Sequence, residues 1–142
     1  PLDGVHLLQD YIAAEEPIIT RAEFVGGKFL YAVEVDTSNG FELCPADVCA
    51  LPDATRPPFK VIESIDADLK AKLETFLRMT GIEIAGIEFA TGADGRPLVY
   101  DVNTNTNYNA EAEAAAGVEL TGMDAIARFL KCELKSSQLK AA

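Results

Sequence analysis

An α+β fold, a mostly antiparallel sheet with helices packed on one face, follows from three features of the sequence. Gly26-Gly27 and Asp94-Gly95, dipeptides that close tight hairpins, each lie between runs of alternating apolar and polar residues. Residues 66–80 and 121–134 instead repeat apolar side chains at the three- and four-residue spacing of an amphipathic helix. A length of 142 residues, with 49% hydrophobic and 25% charged, is that of one soluble globular domain able to bury a core.

Residues 6–12 read as a short strand and 19–36 as a hairpin. With Gly26-Gly27 as the turn, Val25 faces Lys28, and Ala22, Phe24, Phe29, Tyr31, Val33 and Val35 share an apolar face opposite Arg21, Glu23, Glu34 and Asp36. Residues 41–44 read as a short strand, 45–50 as a helical turn opened by Pro45, 51–58 as loop and 59–63 as a strand. The helix over 66–80 turns Leu69, Leu73, Phe76, Leu77 and Thr80 to one side and stops at Gly81. Two strands follow, 82–90 and 97–103, then an Asn-rich loop and an alanine-rich helix over 111–116 ended by Gly117. The last helix, capped by Thr121 with Asp124 three residues on, is expected to bury Met123, Ile126, Ala127, Leu130 and Leu134 and to fray from Lys135.

A formal net charge of −11 disfavours nonspecific nucleic-acid binding, which relies on clustered Lys and Arg, and points to metal cations as charged partners. The apolar runs are too short to span a bilayer, so no membrane partner is expected. Three cysteines, Cys44, Cys49 and Cys132, without a signal peptide, suit a reducing cytoplasmic setting. A structural zinc site would need four ligands, and only His6 would remain to complete it, so buried thiols are the preferred reading. His6, at the start of the first strand, reads as structural. Self-association into a homo-oligomer is left open. A first residue Pro1, placed within an apparent strand, suggests a chain excised from something longer.

Counting outward from Asp94-Gly95 as a two-residue turn sets Ala93 against Arg96, Ala90 against Val99 and Glu88 against Asp101. Opposed Cβ atoms lie about 4.5–5.5 Å apart, where like charges repel unless a cation lies between them. By the period of two, Asn103 and Asn105 join the same face and add neutral oxygens. Such an all-oxygen set suits Mg²⁺, which keeps waters and bridges carboxylates to nucleotide phosphates. The alternative is two carboxylates facing solvent, partnered by Lys or Arg. The run from Asp101 to Asn109, where Asn alternates with Thr and Tyr, favours a ligand-lining loop.

Residues 7–12 (LLQDYI), 21–28 (RAEFVGGK), and 86–89 (GIEF) followed by 99–103 (VYDVN) resemble, in order and spacing, three successive motifs of the ATP-grasp superfamily. The similarity covers nearly the whole chain and is strongest to glutamate ligases of the RimK type. The resemblance implies the C-terminal part of an ATP-grasp domain over 1–142, with ATP and Mg²⁺ (or Mn²⁺) as cofactors. It puts the strand Gln9, Asp10, Tyr11 and Ile12 beside adenine and Arg21 near the phosphates or an acyl phosphate. Glu88, Asp101 and Asn103 would hold the metal, and Asn105 would line the nucleotide site. The activity implied is ATP-dependent joining of a carboxylate to an amine, on small-molecule or peptide substrates.

Several departures accompany the resemblance. The two acidic positions carry Glu then Asp where the family has Asp then Glu, and residues 104–109 replace a short Pro-Gly segment. Glu34 stands near the place of a second arginine. The family's phosphate-binding lysines and glycine-rich lid belong to an N-terminal subdomain not represented in these residues, so the isolated chain is expected to be inactive. Arg21 also has a plainer reading, a sheet-face ion pair with Glu34 on the diagonal. The competing reading of the whole chain is a non-catalytic metal-binding or interaction module that retains the fold.

Overall fold

In the computed structural model, residues 4, 6, 8–11, 14–38 and 57–140 are described. Strands β1 (Ile18–Val25), β2 (Lys28–Asp36), β3 (Phe59–Ile62), β4 (Ile84–Thr91) and β5 (Pro97–Asn103) form one antiparallel sheet in the order β3-β2-β1-β4-β5. Helices α1 (Ala67–Thr80), α2 (Ala110–Ala116) and α3 (Gly122–Lys140) complete the described chain, an α+β architecture as the alternation and helical periods predict. The predicted elements of 41–56, with Cys44 and Cys49, lie outside the described residues, as do parts of the predicted 6–12 strand. The described residues of that segment, His6 and 8–11, are exposed and in no strand.

The β1–β2 turn uses Gly26 (φ 63°) and Gly27 (φ 68°), the left-handed pair that a two-residue hairpin requires. Beyond it the register departs from the simple count. Phe24 pairs with Phe29 but Glu23 pairs with Tyr31, so Leu30 is an extra, bulged residue. One inserted residue reverses the parity of the rest of β2. The apolar face is therefore Ala22 and Phe24 with Phe29 and Ala32, while Tyr31, Val33 and Val35 lie with Ile19, Arg21 and Glu23. Glu34 moves to the Ala22 face, where Lys60 pairs with it at 3.1 Å, which removes the proposed Arg21–Glu34 pair.

Helix α1 covers the apolar face. Asp66 caps it by accepting the Leu69 N–H (2.8 Å), and Leu69, Leu73 and Leu77 pack on Ala22, Phe24, Ala85, Ile87 and Phe89. Phe24, Leu77 and Ile87 are fully buried, each contributing about 1.5–3 kcal/mol of transfer free energy. Phe76 and Thr80, expected on this face, are exposed because the stripe follows the narrower leucine row. Packing on one face holds for α1, whereas α2 reaches the opposite face through Glu113, which accepts from the Tyr31 hydroxyl at 2.6 Å.

Helix α3 differs from expectation in phase and length. Its contact side is Gly122, Ala125 and Phe129, with Phe129 against the Gly26 turn, so Met123 (67%), Leu130 (54%) and Leu134 (60%) are exposed. The positions at i, i+3 and i+7 from Gly122 win because Gly122 lets the Tyr108 ring lie against the backbone; any Cβ there would overlap it. Rather than fraying at Lys135, the helix runs to Lys140, and Cys132 on it is exposed rather than buried. Among the described residues no helix is long and apolar enough to cross a membrane.

Candidate functional site

On the face opposite α1, the register of the three strands β1, β4 and β5 lays out two rows. One row runs Arg21, Glu88, Asp101, and the next Glu23, Gly86, Asn103. The opposition of Glu88 and Asp101 predicted from the sequence is present, but by a different path. Near the turn the strands pair Ala90 with Leu98 and Phe89 with Val99, one residue away from the count. The turn spans three residues, closed by Gly92 N–H to Arg96 O (3.0 Å), and a bulge at Tyr100 then restores Glu88 against Asp101. The two offsets cancel.

At the centre of the second row Gly86 is required by close approach. A Cβ there would lie 2.5 Å from Arg21 Nε and 3.0 Å from both Arg21 Nη2 and Thr106 Oγ1. The missing side chain leaves a slot that the Arg21 guanidinium occupies. Arg21 Nε is 2.9 Å from Glu23 Oε1, its Nη2 donates to Thr106 Oγ1 at 2.5 Å, and its Nη1 is 3.6 Å from Glu88 Oε1. Thr106 donates onward to Glu23 Oε2 at 2.7 Å, and Tyr100 donates to Glu88 Oε2 at 3.1 Å.

Glu23 and Glu88 are almost wholly buried, at 1% and 2% exposure, whereas Asp101 opens to solvent. Burial pushes the Glu23 carboxyl up to about 7, against the opposing pull of Arg21 and the Thr106 hydroxyl. Burial and the charge of Glu88 raise the Tyr100 phenol. Burial likewise lifts Tyr108 to about 12, helped by Glu23. Beside them, Glu113 Oε1 accepts from Tyr31 and from the Gly122 N–H, each at 2.6 Å, tying α2 and the start of α3 to the sheet.

The sequence-predicted residues divide. Arg21, Glu88, Asp101 and Asn103 come together on one sheet face. Asn105 does not extend the ladder, because β5 ends at Asn103; its N–H donates instead to Asn103 Oδ1 at 2.8 Å. Gln9, Asp10 and Tyr11 are exposed outside any strand, and Ile12 lies outside the described residues. The Asn-rich loop also has structural work: Asn109 caps α2 and Tyr108 meets Tyr31 edge to face. Glu23, Tyr100 and Thr106 were not predicted as site residues. Two signals for them stood in the sequence, an acid between Ala22 and Phe24 in a central strand and a glycine inside β4, which marks close approach.

The oxygen donors fit a Mg²⁺ ion that keeps waters or phosphate oxygens and do not fit a closed protein cage. Among the described residues no three His, Cys, Asp or Glu side chains converge on a metal position. Glu88, exposed Asp101 and the amide of Asn103 instead offer an incomplete, all-oxygen set on an open side of the sheet.

No protein-family model and no curated protein matches the chain. Solved structures do. ATP-grasp ligase PsnB complexed with minimal precursor is 17% identical over 84% of this chain and 35% of that chain, with a TM-score of 0.56. The macrocyclase MdnB from Microcystis aeruginosa MRC is 15% identical over 83% of this chain and 38% of that one (TM-score 0.55). A Chryseobacterium gregarium RiPP-associated ATP-grasp ligase in complex with ADP, and a leader and core peptide, is 14% identical over 84% and 34% (TM-score 0.56). The fold is thus ATP-grasp-like. The chain spans about a third of the length of these ligases, and the likeness is one of fold. PsnB has also been solved with its minimal precursor, Mg and ADP.

Proposed function

We propose that the chain forms the C-terminal, metal- and nucleotide-binding part of an ATP-dependent carboxylate–amine ligase working through an acyl phosphate. The observation that carries this reading is Glu88 opposite Asp101, with Asn103 next on the same face, in an ATP-grasp-like sheet. Bound Mg²⁺ (or Mn²⁺) would neutralise ATP phosphate oxygens while a substrate carboxylate attacks the γ-phosphorus and expels ADP; an amine then attacks the acyl carbon of the acyl phosphate and releases inorganic phosphate. Asp101 presents its carboxylate to the solvent side, where a phosphate can approach. Tyr100 fixes one oxygen of Glu88 and leaves Oε1 for a cation. Asn103 Oδ1 accepts one N–H and retains a second lone pair.

Arg21 supplies a fixed positive charge at the inner end of the row, beside the place where phosphate charge accumulates. Base contact by the segment Gln9, Asp10, Tyr11 and Ile12, and the RimK-type branch, belong to the same proposal on motif grounds. Peptides are the favoured carboxylate or amine substrates, because the matched ligases were solved with precursor, leader and core peptides.

The test is Asp101→Asn in the intact protein. Shape is kept and one charge is lost, so ATP consumption should fall at least about tenfold. The melting temperature in metal-free buffer should hold or rise, since the opposed carboxylates no longer repel. Full activity in this variant would remove the pair from the mechanism, and binding of Mg²⁺ without any ATP turnover by the wild type would favour the non-catalytic module.

A further inference from the structure

We infer that Glu88 Oε1 is an exchangeable ligand, held by Arg21 when no divalent ion is present and surrendered when one binds, with Thr106 and Glu23 anchoring the arginine so that it can let go. The inference rests on the metal site proposed above and deepens it, because it names what regulates that site.

The distances set the argument. Arg21 has two short contacts, a hydrogen bond to Thr106 Oγ1 at 2.5 Å and an ion pair of its Nε with Glu23 Oε1 at 2.9 Å that lacks hydrogen-bond geometry, and one loose one, Glu88 Oε1 at 3.6 Å. The loose contact is a charge interaction longer than a hydrogen bond. Glu88 is asymmetric in the same way: Tyr100 holds Oε2 at 3.1 Å, and among the described residues Oε1 has only the distant guanidinium. A buried carboxylate needs a cation nearby, since an uncompensated charge at 2% exposure would be costly. Arg21 meets that need without closing on the oxygen.

Loss of the loose contact to an incoming divalent ion leaves Arg21 held by Thr106 Oγ1 at 2.5 Å and beside Glu23 Oε1 at 2.9 Å, so the guanidinium keeps its place. The Gly86 slot keeps the guanidinium against the sheet in both states. Thr106 is therefore a positioning residue that acts through Arg21. Without its acceptor oxygen, Nη2 is freed and the guanidinium can swing toward Glu88, where it competes better with a metal.

Two measurements on the nucleotide-free protein decide the matter. Mg²⁺ titration followed by NMR should give a saturable shift of the Arg21 Nε–H resonance in the wild type. Mn²⁺ affinity, read by electron paramagnetic resonance, should tighten roughly fivefold in Arg21→Gln and weaken roughly threefold in Thr106→Val, with Thr106→Ser near wild type. In the Arg21→Gln background, Thr106→Val should change nothing further, which separates action through Arg21 from general disorder of the loop. An Arg21 resonance unmoved at saturating Mg²⁺, or a folded Arg21→Gln protein that binds Mn²⁺ no more tightly, overturns the exchange. Should Arg21→Gln fail to fold, the wild-type titration and the two Thr106 variants decide alone. Mn²⁺ binding that is lost in Asp101→Asn yet indifferent to Arg21 and Thr106 would sink the exchange and leave the metal site standing; no binding in any variant would sink both.

Discussion

Glu23 illustrates how one residue links packing to electrostatics. It is acidic, central and sealed between Arg21 and Thr106, and burial pushes its carboxyl up to about 7 from the ordinary 4.5. A raised value means that the folded state binds the proton more tightly than the unfolded chain. Stability from this group is thus complete below about pH 4.5 and is lost as pH rises through about 7. The shift corresponds to a contribution on the order of 3 kcal/mol. Melting temperatures of wild type and Glu23→Gln, compared from pH 4 to 8, should show the wild type losing ground to the variant across that window. A pH-independent difference would mean that Glu23 stays ionised throughout.

Among the elements, α1 and α3 show two ways of attaching a helix. Helix α1 has a regular leucine row and a side-chain cap at Asp66. Asp66→Ala removes the acceptor for the Leu69 N–H and should cost about 1 kcal/mol, read by chemical denaturation, with Asp66→Asn largely restoring it. Helix α3 is held through small residues and one aromatic ring, so its stronger apolar row, Met123, Leu130 and Leu134, stays in solvent. The strands carry their own corrections in the bulges at Leu30 and Tyr100. Each bulge re-aims a side chain next to the site, placing Tyr31 beside Glu23 and Tyr100 on Glu88.

The whole molecule divides its labour between the two faces of one sheet. Apolar packing under α1 holds β1 and β4 together, and the same two strands carry Arg21, Glu23 and Glu88 on their other side. Leu77→Ala, which opens a cavity on the α1 side, should cost about 2–5 kcal/mol. The chain has no tryptophan, so tyrosine fluorescence reports on Tyr31, Tyr100 and Tyr108 at the polar face over a constant background from exposed Tyr11, while far-ultraviolet dichroism reports mainly on the helices. Both probes should shift to the same lower denaturant midpoint in Leu77→Ala. Separate transitions would show that the site face holds together without the core.

Local pattern was enough for the hairpins at Gly26-Gly27 and Asp94-Gly95, for α1 with its Asp66 and Gly81 ends, and for Glu88, Asp101 and Asn103 sharing one sheet face. These depend on neighbours within a few positions, or on motif spacing that a short stretch of chain carries whole. The bulge at Leu30 was not legible, because a period-of-two count cannot reveal which residue a sheet leaves unpaired. Nor were the partners of Arg21. Glu23 lies two positions on in the same strand, but Glu88 comes from β4 lying beside β1, more than sixty positions away in the chain, and Thr106 from folding back over Gly86. The phase of α3 escaped for a related reason: its apolar residues mark a strong face, but the face that is buried is the one on which Tyr108 and the Gly26 turn leave room. Periodicity records how a segment is built, whereas register, bulges and helix phase are settled by the surfaces it meets.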